Sequence, residues 1–340
     1  MSSDTGSGGA GGGETGTRLL ARPLNWLETQ TEQVYAYVLL LPAFLLLAAI
    51  AFYPLIQTFR FSLLRDEVDQ ADPFGAFVGL DNYVDLLTGS ARVPRQFVDV
   101  AFTSGFPFIE LGTPFFRQAL LVTLAFAIIS VLFETLIGFG QALVIDKEFY
   151  GRRWVRVAII IPWAIPIVIQ GMIFFLLFNP TIGFGADFMQ WLGVFGDNPL
   201  ASSSDSFLIV LVADIWKTAA FMALLILAGL QSIDRGLYDV AKVSGASPWQ
   251  RFKYITLPLV APALIVAMLF RTMDAMRIYG LIDATAGCQT VPSLTCLVII
   301  SLNQTRRWAT ASAVAFLTAV VIGVFVAVYL IGLRDTEGGL

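Results

Sequence analysis

The chain has 340 residues, 57% of them hydrophobic and only 14% charged, where a soluble domain carries about a quarter charged residues. Its formal net charge is −4, it has no histidine, and its two cysteines show no zinc-type spacing, which excludes a histidine-based metal centre, a His-containing catalytic triad and a zinc finger. Several apolar runs reach the roughly 20 residues that cross a bilayer, so the chain reads as an all-α integral membrane protein; barrel strands run to only about 10 residues.

Residues 1–17 are rich in Ser, Gly and Thr, with acidic Asp4 and Glu14, and 1–33 reads as a disordered tail and lead-in. This stretch lacks the basic start, apolar core and small-residue cleavage site of a signal peptide, which predicts that the first apolar segment stays as an anchor. Run length then predicts six spans: 34–60 with Pro42 and Pro54 inside, 118–145, 155–178 interrupted by Pro162 and Pro166, 207–230, 259–282 and 309–333. Residues 334–340 remain as a short tail. The 65–116 connection contains Pro73, Gly75, Pro94, Pro107, Gly112 and Pro114 and reads as irregular, while Phe102, Phe106 and Phe108 predict that it folds over the membrane face.

Lysine and arginine set the orientation. The 146–156 loop holds Lys147, Arg152, Arg153 and Arg156, and the 231–258 loop holds Arg235, Lys242, Arg251 and Lys253. Arg65, Arg92, Arg95, Arg306 and Arg307 lie on the other side, which leaves the basic side, both termini and the 231–258 insert cytoplasmic in a multi-pass cell-membrane protein.

That insert is the most patterned stretch of the chain. Ser232 or Asp234 can cap a first helix, with Leu237, Val240, Ala241 and Ser244 on one narrow face. Gly245 falls where a helix ends, because glycine takes the left-handed conformation without a Cβ penalty. Ser247-Pro248-Trp249-Gln250 has the form of a capping box with proline at the first helical position. Trp249, Phe252 and Ile255 follow at a spacing of three, and Leu257-Pro258 is expected to close the second helix. The pattern suits a helix pair docking into a partner protein; it suits equally an amphipathic helix lying on lipid.

The same residues resemble the EAA loop of binding-protein-dependent ABC importer permeases, in which Glu-Ala-Ala is followed by a glycine and later by Ile-x-Leu-Pro. Asp239-Val240-Ala241 stands for Glu-Ala-Ala, Gly245 with Ala246 for the glycine element, and Ile255-Thr256-Leu257-Pro258 for the ending. Asp239 and Val240 depart from the pattern, the aspartate keeping the charge on a shorter side chain. Gly79-Leu80-Asp81-Asn82-Tyr83 and Phe270-Arg271-Thr272-Met273-Asp274-Ala275-Met276-Arg277 look like two further elements of the carbohydrate-uptake branch, the maltose and glycerol-phosphate importer type. The resemblance covers about 34–333. It implies a permease that hydrolyses nothing itself and carries a sugar by alternating access. A polyol or glycerol phosphate is the alternative cargo. It also implies a second permease subunit, two ATPase subunits that receive the EAA loop, and an extracytoplasmic sugar-binding protein. The chain has no Walker-type glycine-rich loop of its own, and nothing in it points to a cofactor or to nucleic acid.

Polar side chains at membrane depth need a reason. Glu134 and Gln141 share a face of the second span, Gln170 lies in the third, Asp214, Trp216 and Lys217 in the fourth, and Arg271, Asp274, Arg277 and Tyr279 in the fifth. Arg271, Asp274 and Arg277 are spaced for an ion-pair ladder along one helix. The set reads either as a translocation path, with amides and carboxylates for hydroxyls and aromatics for sugar rings, or as charges that tie helices together. Cys288 and Cys296 flank Pro292 in the outer 283–308 loop, either as a disulfide in an oxidising exterior or as two unrelated thiols. A secondary transporter would show inverted repeats with paired broken helices, and a membrane enzyme would show clustered carboxylates or histidines; neither pattern is present in the sequence.

Overall fold

The computed structural model describes residues 32–70, 72–102 and 109–337. Most of the 1–33 lead-in, Phe106, Phe108 and residues 338–340 lie outside the described residues. The chain divides after Gln57 into two units. In the first, the described residues form apolar helix α1 (Glu32–Leu47), a π-helical segment (Ala48–Phe52) and the start of α2 (Tyr53–Ser62).

The π segment has a local cause. Pro54 has no N–H, and in a regular helix its ring would meet the carbonyl four residues back. The turn widens instead, and the Tyr53 N–H donates to the Ala48 carbonyl five residues back. The device recurs in the second unit, where α10 (Pro248–Arg251) runs through a π segment (Phe252–Thr256) into α11 (Leu257–Ala275), with the Leu257 N–H on the Phe252 carbonyl. Leu257-Pro258 therefore does not close the second insert helix as expected. The wider turn absorbs Pro258, and the helix runs unbroken from Pro248 to Ala275.

The second unit opens with a cap of small elements: β1 (Leu64–Asp66), β2 (Phe74–Phe77), α3 (Asp81–Leu87), β3 (Val100–Phe102) and β4 (Ile109–Leu111). β1 pairs antiparallel with β2, and β3 with β4, so the 65–116 connection is more regular than its prolines suggested. Asn82 Nδ2 donates to the Ser62 and Leu64 carbonyls at 2.8 and 2.7 Å, and the Tyr83 hydroxyl lies 2.5 Å from that of Ser62. The Asp81-Asn82-Tyr83 element thus ties α3 to the end of α2. Asp66 caps the last helix, accepting from the Ala309 N–H at 2.6 Å and from the Thr310 hydroxyl at 2.5 Å.

The helices that follow are α4 (Ala119–Asp146), α5 (Arg152–Ala164), α6 (Ile167–Phe178), α7 (Phe184–Trp191), α8 (Ser203–Gln231), α9 (Arg235–Val243), α10, α11, α12 (Gly280–Thr285), α13 (Leu294–Asn303) and α14 (Trp308–Glu337). Among the described residues five helices are long and apolar enough to cross a membrane, or six if the bent pair α5 and α6 counts as one span. That pair departs from the expected single span 155–178. Ile165 precedes Pro166 and is held extended at φ −72°, ψ 129°, and the two halves meet at 92°. The expected span 259–282 also differs, since α11 stops at Ala275 and the apolar residues beyond it turn inward. Met276, Leu281 and Ile282 are buried, the Ser293 hydroxyl holds the Ile278 carbonyl at 2.7 Å, and α12 packs against α6. An apolar run buried in protein reads like one buried in lipid.

α4 and α8 pack along their length. They come close at Gly138, where an added Cβ would stand 2.6 Å from Met222 Cβ and 2.9 Å from the Ala219 carbonyl. One apolar core gathers Phe126, Phe174, Phe207, Met276 and Ile282. A second, under the cap, gathers Leu86, Phe97, Leu297 and Val314. A third, beside the insert, gathers Ile145, Met222, Ile226 and Val260.

Cys288 and Cys296 are joined as a disulfide with Cα atoms 5.4 Å apart. Both are buried, and Gln289, between them, is held by Arg95 through its carbonyl and by Gln304 through its side chain at 2.8 Å. Replacing both cysteines by alanine is expected to lower stability by about 2.5 kcal/mol, the chain entropy that so short a loop withholds from the unfolded state. Thermal melting of the double variant checks the magnitude. Alkylatable thiols in unreduced protein would show that the bond is absent.

Candidate functional site

Glu134 on α4, Asp214 and Thr218 on α8, and Arg271 and Asp274 on α11 meet where these three helices converge. Arg271 is 2% exposed and Glu134 fully buried. The guanidinium donates through Nε to Glu134 Oε2 at 2.5 Å, through Nη2 to Glu134 Oε1 at 3.0 Å and to Asp214, and through Nη1 to Asp274 Oδ2 at 3.0 Å. The Thr218 hydroxyl lies 2.6 Å from both Glu134 Oε1 and the Asp214 carbonyl. A charge taken out of water is tolerable only when its hydrogen-bonding capacity is met, and here three helices supply the partners.

The expected ladder along α11 is therefore only half formed. Arg271 reaches Asp274, but its other partners come from α4 and α8, and Arg277 turns its Nε to the Met273 carbonyl at 3.1 Å. Side-chain spacing permitted a local pair, and burial favoured partners across helices.

Beside this cluster is a cavity of about 330 Å³ lined by Trp163, Thr218, Phe221, Phe270, Arg271, Asp274 and Arg277. The Trp163 and Phe221 rings stack, with centroids 6.4 Å apart and planes 20° from parallel. Trp163 sits between Pro162 and Pro166, at the end of α5 just before the bend. Asp274 keeps its side chain 71% exposed. The cavity offers a flat aromatic wall, a carboxylate that accepts hydrogen bonds and guanidinium groups that donate them. Trp163, Thr218 and Phe221 did not stand out in the sequence, and Phe270 stood out there only as part of the Phe270–Arg277 element. The tryptophan between two prolines was the one available signal. A larger polar cavity of about 720 Å³ lies in the cap by Asp66, Asp81 and Arg307.

The remaining polar candidates lie outside this cavity's wall. Gln170 is buried and donates to the Ala213 carbonyl at 2.5 Å. Trp216 packs on Phe174 with centroids 5.9 Å apart. The Tyr279 hydroxyl donates to Asp283 at 3.4 Å. Gln141 lies two turns along α4 from Glu134, and its Oε1 is buried without a hydrogen-bond partner.

The insert forms an elbow. Asp234 caps α9 through the Gly236 N–H at 2.8 Å, Ser247 and Gln250 form a reciprocal capping box, and Gly245 makes the joint at φ +84°. Leu237, Val240, Val243 and Trp249 are exposed, as is Asp239, while Ala241 and Ala246 are half-buried. Phe252 and Ile255 turn partly inward, Phe252 edge-on to Phe139 and Ile255 against the third core. Leu257 and Pro258 lie exposed at the base of α11. Arg235 makes a bidentate ion pair with Asp146 at 2.8 and 2.6 Å, and these hydrogen bonds hold its guanidinium above the ordinary arginine pKa.

Residues 134–334 match the family model described as the binding-protein-dependent transport system inner membrane component. The trehalose/maltose transport system permease protein MalF of Thermococcus litoralis is 34% identical over 301 residues, which are 88% of this chain and 93% of that protein. The trehalose transport system permease protein SugA of Mycobacterium tuberculosis is 33% identical over 256 residues, 75% of this chain and 74% of its own length. Among solved structures, a bacterial ABC transporter involved in the import of the acidic polysaccharide alginate superposes with a TM-score of 0.67 at 23% identity, covering 94% of this chain and 99% of that one. That last likeness is one of fold.

Proposed function

The chain belongs to the family of binding-protein-dependent transport system inner membrane components, and from that premise we propose that it is a permease subunit of an ATP-driven importer carrying a sugar across the cell membrane by alternating access. The chain spans the membrane six times, the bent α5 and α6 making the third span, with both termini cytoplasmic. ATP is hydrolysed on two separate ATPase subunits, a second permease completes the pore, and an extracytoplasmic binding protein delivers the sugar.

The observation that carries the sugar reading is the cavity at the ionic cluster. Trp163 and Phe270 can stack on a sugar ring, and Asp274 and Arg277 can bind its hydroxyls. Phosphate would need several free cations, whereas Arg271 is already surrounded by three carboxylates and Arg277 alone is left on this wall to meet one. This favours an uncharged sugar over glycerol phosphate. The elbow supports the ATPase reading. Its exposed apolar residues cluster around a left-handed joint beside basic Lys242, Arg251 and Lys253, on the side where lysine and arginine concentrate.

Trp249→Glu and Gly245→Glu are expected to leave the protein in the membrane but to release the ATPase, with sugar uptake falling by roughly tenfold or more, the loss typical of an aromatic interface anchor. A left-handed joint also resists any side chain, which compounds the second change. Co-purification of ATPase with the tagged chain, and uptake into proteoliposomes, measure both effects. Wild-type values for both variants would sink the docking model.

A further inference from the structure

We infer that the Asp146–Arg235 ion pair is a coupling latch, a positioning contact that makes span α4 follow the elbow when the elbow moves. The inference rests on the reading that the elbow receives the ATPase.

Both partners stand at the wrong end of their helices for local stability. Asp146 is the last residue of α4, where the helix dipole disfavours an anion, and Arg235 is the first residue of α9, where it disfavours a cation. Neither placement helps its own helix, yet the two side chains meet in a bidentate geometry at 2.8 and 2.6 Å. Such a fork fixes orientation as well as distance. The pair joins elements 89 residues apart in sequence.

The surroundings make the end of α4 a junction. Arg152 at the start of α5 donates through Nε to the Ile145 carbonyl at 2.6 Å, so α5 is tied to the same turn that Asp146 ties to α9. On the elbow's other side, the Tyr238 hydroxyl lies 3.0 Å from that of Thr256 in the π segment, and α10 continues through that segment into α11. The elbow is thus linked to α11 by the backbone, and to α4 by the ion pair and by the packing of Phe252 on Phe139. Those two helices meet again at Arg271 and Glu134, and Glu134 lies twelve residues along α4 from Asp146, about 18 Å at 1.5 Å per residue. The latch ties α4 to α9 at the elbow, and the buried pair ties α4 to α11 at the cavity.

The test uses the complete importer, purified through a tag on this chain and reconstituted in proteoliposomes. The variants are Asp146→Asn, Arg235→Gln, and the exchange Asp146→Arg with Arg235→Asp. Trehalose and maltose serve as probes, and the readout is sugar taken up per ATP hydrolysed, alongside the amount of ATPase retained. Each single variant is expected to keep its ATPase and to lose at least about fivefold in uptake per ATP, the low end of typical coupling between sites. The exchange is expected to restore much of that loss. Wild-type coupling in both single variants overturns the latch, and so does an exchange no better than either single change. Loss of ATPase from Asp146→Asn also overturns it, because the pair would then belong to the docking surface. Trp249→Glu separates the two ideas. If it keeps its ATPase and its coupling, the docking reading fails, whereas its release of ATPase beside normal Asp146 variants defeats the latch alone.

Discussion

Arg271→Met is expected to abolish accumulation of the folded protein in the membrane. It would leave Glu134, fully buried, and Asp214, nearly so, without the guanidinium that holds both. Removing one partner of a buried ion pair costs about 3–5 kcal/mol, a large share of the roughly 5–15 kcal/mol that holds a domain together. The triple variant Arg271→Met, Glu134→Gln, Asp214→Asn removes the charges together and is expected to recover most of the yield, since neutral amides cost far less to bury than carboxylates. Detergent-extracted yield and thermal melting check both. A single variant melting within about 2 °C of the parent would mean that the cluster contributes under about 1.5 kcal/mol, and the structural account of it would fail.

Asp274→Ala is expected to act on transport and spare the fold. The Asp274 side chain is 71% exposed, and Arg271 keeps Glu134 and Asp214 when it is removed. A hydrogen bond to a charged group contributes about 1.5–3 kcal/mol, so loss of this acceptor should raise the half-saturating sugar concentration or slow uptake by roughly 10- to 100-fold. Trp163→Ala should weaken transport in the same direction by removing the stacking wall. Both variants should retain ATPase and melt near the parent. Unchanged sugar uptake by both would remove the cavity from the transport path.

The sequence reading and the structure part company at identifiable points. Helix positions followed from apolar run length, because the backbone of a lipid-exposed segment must satisfy itself. The ends of two spans did not follow. At 155–178 two prolines four residues apart were visible, but whether they kink a span or fold it by 92° depends on how α6 packs against α12. At 259–282 the run of apolar residues continued past Ala275 because Met276, Leu281 and Ile282 are buried in protein. The elbow was more legible. Its two caps and its glycine joint are local devices, set by the residues on either side. The error there was Pro258, where the sequence rule that proline ends a helix met a π turn that accommodates it.

The candidate site divides in the same way. The polar residues at membrane depth could be named from the sequence, since each stands out against an apolar background. What their partners are could not. Glu134 and Arg271 are 137 residues apart, and no local spacing relates them, whereas the ladder that spacing did suggest formed only at Arg271 and Asp274. Phe221 was invisible among 28 phenylalanines, because an aromatic residue on a cavity wall looks like any other in an apolar span.

By itself, then, the sequence determined that this is a helical membrane protein, where four of its long apolar helices lie and that it carries a capped elbow between α8 and α11. Hydropathy, capping and glycine conformation act over a few residues and leave a readable pattern. The tertiary structure alone decided that three helices share one guanidinium, that a tryptophan at the bend faces a cavity beside it, and that Asp146 at the end of α4 grips the elbow through Arg235. Those are contacts between distant segments, chosen by packing and by the cost of leaving a charge unpaired.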